Sequence, residues 1–170
     1  QIHFKPFKVF LLFCLFGFLF FWKPLLFGQP FFGEDFLWQF LPMNKVALDL
    51  IHSGQWPLWN PFMMSGMPLF ASLSFPLFYP GTLLFLIISQ HQATMFLYWF
   101  QIALAGYFTY RFSLLLQENQ DSGNQPITYN HLSSIIAGIS FMFAGNIITL
   151  IYPGHTMKLI AATFIPIAMF

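Results

Sequence analysis

The long apolar runs of this chain constrain its fold more than any other feature. Residues 9–27, 93–116 and 131–151 are each predominantly apolar, and a fourth run occupies residues 159–170. A helix needs about 20 such residues to cross the hydrocarbon core of a bilayer. Only 6% of the chain is charged, whereas soluble domains carry roughly 25% charged residues. We therefore predict an all-α fold of polytopic transmembrane helices with these four spans, the last of them truncated.

We expect residues 1–170 to be a single transmembrane domain and the N-terminal part of a longer chain. The first residue is Gln rather than Met, and the chain stops inside the fourth apolar run. Lys5 and Lys8 precede the apolar stretch of residues 9–22, as in a secretory signal, but Lys23 and Pro24 follow that stretch where a small-residue cleavage site would stand. We therefore expect a retained first span. The net charge of +1 gives no basic patch for nucleic acid, which we exclude as a partner.

The distribution of Lys and Arg predicts which loops lie outside. Lys5 and Lys8 precede the first span and Arg111 ends the second, so the positive-inside rule places these ends on the inner side. The loop of residues 28–92 then lies on the outer side, together with the loop at residues 152–158. Three cations fall on the outer side against the rule: Lys23, Lys45 and Lys158.

The orientation depends on residues 73–89. Pro76, Pro80 and Gly81 interrupt this segment and leave residues 82–88 as its apolar core, which is too short to cross a bilayer. We interpret it as an interfacial or re-entrant helix buried against protein. The alternative is a bent span, which would invert everything downstream and separate the two outer loops.

The outer loop, residues 28–92, is too apolar to be a solvated connector. It contains a predicted helix from Met43 to His52, with Pro42 in the first turn and Gly54 at the C-terminal cap. We expect this helix to lie in the membrane interface as an amphipathic helix. The rest of the loop is rich in Trp, Met, Pro and Gly, which predicts a compact structure over the spans. Long loops of this kind commonly carry function.

Glu34 and Asp35 are the adjacent acidic pair of the chain, and they follow the first span. A carboxylate near the membrane boundary, under an aromatic roof, would be partly desolvated and would serve as a general base. The alternative is that one of them caps the helix that starts at Phe36. Asp49 and His52 stand three residues apart, so they can pair on one helix face, or they simply form its solvated side.

His155 and Lys158 stand three residues apart at the start of the fourth span, after Gly154. A helix there would aim both side chains at one anionic group, with its N-terminus adding partial positive charge. A lipid-linked phosphate is the candidate ligand, and the alternative is that Lys158 reaches lipid headgroups. Trp59 and Asn60 have the chemistry to line a sugar site, or Trp59 belongs to an interfacial aromatic belt. No His or Cys ligand motif predicts a metal site, and a divalent metal is left open as a cofactor.

Four segments carry a resemblance to a known family. Residues 33–42, GEDFLWQFLP, resemble the G-[DE]-x-x-x-Q-x-x-P pattern of bacterial YfhO-type membrane proteins, with one extra acidic residue or a shift of one. Residues 54–61, GQWPLWNP, and 66–68, GMP, are similar to the G-x-x-P-L-W-N-P and G-x-P segments of that family. Residues 154–159, GHTMKL, resemble its G-H-x-x-K-L segment, and Pro166 its later proline.

YfhO-type proteins resemble the GT-C superfamily of integral-membrane glycosyltransferases. The resemblance implies a GT-C-like fold in the bacterial cytoplasmic (inner) membrane. It also implies sugar transfer on the outer face, from a polyprenyl-phosphate carrier to a cell-envelope glycan or protein acceptor. Asp35 or Glu34 would then be the catalytic base, and His155 and Lys158 would hold the carrier phosphate.

Two non-catalytic functions remain as alternatives. A transporter would carry ionisable groups inside its spans to mark the transport pathway, and the predicted spans are almost free of interior charge. A structural subunit would use the outer loop as a docking surface in an assembly.

Overall fold

The computed structural model describes residues 5–28, 33–72, 78–120 and 127–170. Helix accounts for 76% of it, so the predicted all-α class is confirmed. Among the described residues, two helical segments are long and apolar enough to cross a membrane, Pro6–Phe27 and His131–Ile151. By length and composition these two agree with a membrane-associated chain. The full set of four spans stays a prediction.

Helix α1, Pro6–Phe27, begins with a proline in its first turn and ends at Gly28, which has a φ of 64°. Its buried residues recur about every four positions, which produces one continuous stripe along the helix. This stripe packs against α3, Gln90–Gln120. The indole of Trp99 on α3 lies against Gly17 and donates a hydrogen bond of 2.9 Å to the carbonyl of Cys14.

Helix α3 is the central helix of the bundle and is longer than the predicted span of residues 93–116. It contacts α1, α4 (Ile127–Met142) and α6 (Thr156–Met169). Its 31 residues extend about 46 Å at 1.5 Å per residue. Tyr98 and Gln101 on α3 are fully buried and hydrogen-bond to side chains of α6. These polar side chains lower the hydropathy of α3, and hydrogen bonds to Thr156, Thr163 and Tyr79 satisfy them.

The third predicted span is not one continuous helix. Helix α4 ends at Met142, and α5, Gly145–Ile151, begins after Ala144 adopts an extended backbone with φ −59° and ψ 140°. Glycine has a poor helix propensity, so Gly145 makes this position a weak point in the apolar run. The predicted span of residues 131–151 nevertheless coincides with one of the two segments that are long and apolar enough to cross a membrane, and it contains this break.

The apolar runs of residues 93–116 and 131–151 leave residues 117–130 as a polar connector, which is shorter in the structure. Helix α3 continues to Gln120 and α4 starts at Ile127, so both helices extend into it. Residues 121–126, the middle of this connector, lie outside the described residues. Where α3 and α4 approach the connector, the side-chain amide nitrogen of Gln117 lies within hydrogen-bond distance of three serine hydroxyls, those of Ser113, Ser133 and Ser134.

In the described part of the loop of residues 28–92, a π-helical turn, Phe36–Phe40, leads directly into α2, Leu41–His52. Helix α2 agrees with the predicted helix, with Pro42 in its first turn. Its buried residues Met43, Ala47 and Leu48 join a second core with side chains from α3, α6 and the rest of the loop. The apolar face of α2 is therefore covered by protein. An amphipathic sequence pattern predicts an apolar face, but it does not show whether protein or lipid covers that face.

The remainder of the loop is compact and mostly irregular. Strands β1, Trp59–Asn60, and β2, Met67–Pro68, pair antiparallel. A 3₁₀-helix, Pro80–Leu86, has seven residues and extends about 14 Å at 2.0 Å per residue, about half of the hydrocarbon thickness. Residues 73–77, the first part of the segment on which the orientation depends, lie outside the described residues.

Candidate functional site

A cavity of about 210 Å³ lies where the loop segment around the π-helical turn meets the start of α6. Asp35 and Gln39 line it from the loop, and His155 and Lys158 line it from the beginning of α6. Phe40, Met43 and Ser72 complete the loop side. The structure therefore brings together three residues that the sequence singled out from two distant segments: Asp35, His155 and Lys158.

Two glycines allow these segments to approach each other. A methyl group at Gly33 would overlap the carbonyl of Tyr152 and the backbone of Pro153. A methyl group at Gly154 would lie 2.5 Å from Cβ of Phe36. Gly154 also has a φ of 89°, in the region that residues with a side chain rarely adopt. The contact between the loop and the start of α6 thus requires glycine on both sides.

A tight turn presents His155 to the cavity. The N–H of Thr156 donates to the carbonyl of Gly154 at 2.7 Å, and His155 between them has φ −73° and ψ 60°. These values define an inverse γ-turn. The first bond of the α-helical pattern runs from the N–H of Leu159 to the carbonyl of His155. The amides that precede Leu159 in α6 have no acceptor within the helix. Their residues line the cavity, so the N-terminal end of α6, with its partial positive charge, lies beside the cavity.

Asp35 and His155 lie close to each other in the lining of the cavity. Oδ2 of Asp35 lies 3.6 Å from Nδ1 of His155, which is too long for a hydrogen bond. Their side chains are 51% and 32% exposed, respectively, so both can reach a ligand. The backbone of Asp35 is helical and its side chain makes no capping hydrogen bond, so the capping alternative does not hold for Asp35. The half-exposed carboxylate is also less desolvated than the sequence predicted.

Glu34 differs from its neighbour in position. Its side chain is exposed and is not part of the cavity lining. Of the acidic pair, Asp35 alone therefore faces His155, and this geometry distinguishes two residues that the sequence left equivalent.

Lys158 and Lys45 differ in whether a carboxylate engages their ammonium groups. Lys45 pairs with Asp49 at 3.1 Å on the exposed face of α2. Asp49 is thus engaged by a lysine four residues before it, and both Asp49 and His52 are exposed, in agreement with the alternative that they form the solvated side of the helix. In the described part of the chain, Lys158 makes no ion pair, and it lines the cavity. Its ammonium group is available to an anionic ligand.

The structure does not bring Trp59 or Asn60 to this cavity. Asn60 is 1% exposed, and its Oδ1 accepts a hydrogen bond of 2.9 Å from the N–H of Phe62, a contact that stabilises the local turn. The indole of Trp59 packs over Gly66. Trp59 remains half-exposed, so the predicted sugar contact of this pair stays a prediction.

No metal centre is evident in the described ranges, because nowhere in them do three His, Cys, Asp or Glu side chains come together. The cavity offers one carboxylate and one imidazole, Asp35 and His155. The sequence reasoning also missed two polar residues of the lining, Ser72 and Thr156. Neither carries a sequence signal, because each reaches the cavity only through tertiary packing.

Comparison with protein-family models, curated proteins and solved structures found no match to this chain.

Proposed function

We propose that this protein is a GT-C-like glycosyltransferase of the bacterial inner membrane. It transfers a sugar from a polyprenyl-phosphate carrier to a cell-envelope acceptor on the outer face. The observation that carries the proposal is the cavity in which one carboxylate, Asp35, faces His155 and Lys158 at the start of α6. Acid–base chemistry and phosphate recognition both have suitable groups within this one space.

The cationic side of the cavity suits a phosphate. Lys158 supplies an ammonium group that no carboxylate of the described segments engages, and the imidazole of His155 supplies a second hydrogen-bonding group. The next amides of α6, those of Met157 and Lys158, add N–H donors together with the positive end of the helix dipole. A phosphate monoester that leaves as a dianion would be stabilised by these groups more strongly as its charge develops.

Asp35 is the proposed general base. The acceptor hydroxyl attacks the anomeric carbon, and the bond between that carbon and the phosphate oxygen breaks. The hydroxyl proton passes to the carboxylate of Asp35, and the polyprenyl phosphate leaves with the bonding electron pair. The 3.6 Å separation of Asp35 from His155 leaves both groups free of a mutual hydrogen bond, so that each can contact its own part of the substrate.

The surroundings support a lipid-linked substrate. Two of the described helical segments have the length and hydropathy of membrane spans. The loop that forms the cavity carries no charged residue from Ser53 to Gln90. A sugar carried by an isoprenoid phosphate would present its polar head beside such a surface.

The decisive experiment compares two neighbouring carboxylates. Asp35→Asn should lower sugar transfer by about 10²–10⁴-fold, as expected for the loss of a general base. Glu34→Gln is the matched control and should keep most activity, because Glu34 lies outside the cavity. The assay follows labelled hexose transferred to cell-envelope acceptor material from farnesyl-phosphate-linked glucose, galactose or mannose in reconstituted membranes.

Two outcomes would contradict the proposal. Full activity in Asp35→Asn, Glu34→Gln and the double variant would exclude a catalytic carboxylate here. If instead the wild-type protein shows no transfer while Asp35→Asn disrupts assembly, the protein is a structural subunit and the loop is a docking surface.

A further inference from the structure

A buried tyrosine on α3 contacts the turn that carries His155. The hydroxyl of Tyr98 lies 2.7 Å from Oγ1 of Thr156, the first residue of α6. Tyr98 is 0% exposed and Thr156 is 2% exposed. Tyr98 does not line the cavity, whereas Thr156 does, so the hydrogen bond between them connects Tyr98 to the cavity lining.

The direction of this hydrogen bond follows from the inventory of donors. Thr156 Oγ1 also lies 3.3 Å from the carbonyl of Gly154, to which it donates. A threonine hydroxyl has a single proton, so when Thr156 donates to Gly154, Tyr98 donates to Thr156. The chain of bonds therefore runs from α3, through Thr156, to the carbonyl that closes the γ-turn.

The γ-turn determines where His155 points. Its two outer residues, Gly154 and Thr156, are joined by the backbone bond of 2.7 Å and by the Thr156 hydroxyl. Lys158 lies two residues further on, within the same first turn of α6. A shift of Thr156 would therefore move both His155 and Lys158 relative to Asp35.

We propose that Tyr98 is a positioning residue of the candidate site, which holds Thr156 and thereby fixes the turn that aims His155 and Lys158 into the cavity. This inference rests on the proposed function insofar as the cavity binds a lipid-linked phosphate. Helix α3 is the central helix of the bundle and contacts α6 directly. The hydrogen bond of Tyr98 therefore anchors the first turn of α6 to the most extensively packed helix among the described elements.

The test removes single hydroxyls and keeps the packing. Tyr98→Phe retains the ring, and Thr156→Val retains the shape of threonine. Each should weaken binding of farnesyl phosphate about tenfold or more, because each removes the hydrogen bond between Tyr98 and Thr156. Thr156→Ser restores a hydroxyl and should bind within about threefold of the wild type. The double variant Tyr98→Phe/Thr156→Val should lose no more than Thr156→Val alone, because that variant already removes the bond to Tyr98 together with the bond to Gly154.

Tyr110→Phe is the matched control. Tyr110 is 3% exposed, and its hydroxyl is bonded to Nδ1 of His131 at 2.9 Å. It lies on the same helix about 18 Å from Tyr98. This variant should leave the affinity for farnesyl phosphate unchanged while losing a comparable hydrogen bond.

Amide hydrogen exchange provides the second measurement. The N–H of Leu159 donates to His155, so its exchange reports whether the first turn of α6 stays formed. We expect faster exchange of this amide in Tyr98→Phe and Thr156→Val, but not in Thr156→Ser or Tyr110→Phe. Unchanged exchange, or faster exchange with wild-type affinity for farnesyl phosphate, would overturn the positioning role.

These measurements separate the inference from the proposed function. A wild-type protein that binds farnesyl phosphate, with a Tyr98→Phe variant that binds it equally well, refutes the inference alone. A wild-type protein that does not bind it refutes the phosphate site, and with it the role of Tyr98 in positioning that site.

Discussion

Replacing Gly154 by alanine tests the assembly of the cavity most directly. The added methyl group would lie 2.5 Å from Cβ of Phe36 and 2.8 Å from its Cα. Ordinary van der Waals contact begins at 3.4 Å, so the two segments must separate by about 1 Å for the methyl group to fit. Rotation of the Phe36 side chain gives no relief, because Cα and Cβ belong to or directly follow the backbone.

Two costs contribute to the expected loss of stability. A residue with a side chain at a φ of 89° is strained by about 1–3 kcal/mol. The overlap with Phe36 adds about 1–3 kcal/mol, as for other overpacked positions. The free energy of unfolding should therefore fall by about 2–6 kcal/mol in Gly154→Ala. Because Asp35 precedes Phe36 and His155 follows Gly154, the same separation lengthens the distance between their charged atoms.

Two other glycines provide controls for the two costs. Gly28 has a φ of 64° and no described atom within 4 Å of the place that an added methyl group would take, and Gly145 has the same open space without a positive φ. Gly28→Ala should show the strain alone, and Gly145→Ala should show neither cost. Unfolding is followed by circular dichroism in mixed detergent micelles, and sugar transfer should fall on the order of a hundredfold in Gly154→Ala. A loss of stability in Gly154→Ala no larger than that in Gly28→Ala would refute the close contact at Phe36.

Three further predictions concern charge, packing and pH. Lys158→Gln should weaken farnesyl phosphate binding by about tenfold or more and reduce its salt dependence. Lys45→Gln should not, because Lys45 is already paired with Asp49; equal effects of the two variants in a binding titration would contradict the assignment. Gly138→Ala would place a methyl group 2.5 Å from the carbonyl of Gly106 and should lower the free energy of unfolding by about 1–3 kcal/mol. An unchanged denaturant midpoint would argue against this helix contact. Burial raises the pKa of Tyr79 above its ordinary value of 10.0. Its contribution to stability should be complete below pH 10 and lost as the pH rises through the raised pKa. In Tyr79→Phe, the free energy of unfolding should fall less steeply with pH in the alkaline range than in the wild type. Identical slopes for the two proteins would exclude this contribution of Tyr79.

The sequence by itself determined the helices, because helix formation depends on neighbours along the chain. The apolar run of residues 9–27 became α1, and α2 followed Pro42 and stopped before Gly54 as their backbone preferences require. The break at Ala144 escaped prediction. The run around it is uniformly apolar, and the weak helix propensity of one glycine does not reveal whether packing will compensate for it.

The residue types of the candidate site were also readable from the sequence. Asp35, His155 and Lys158 stood out because charged side chains are rare in this chain, and rarity is visible without a structure. The sequence did not distinguish Asp35 from Glu34, nor show that Asn60 points into its own turn. These outcomes depend on which side of a helix or turn faces the rest of the protein.

Only the tertiary structure decided that Asp35 and His155 meet. Their approach depends on Gly33 and Gly154, where the absence of a side chain lets two backbones cross. The bond from Tyr98 to Thr156 likewise joins residues 58 positions apart. Hydropathy and local spacing describe each segment separately, whereas such contacts arise when separate segments pack together and their buried polar groups must find partners.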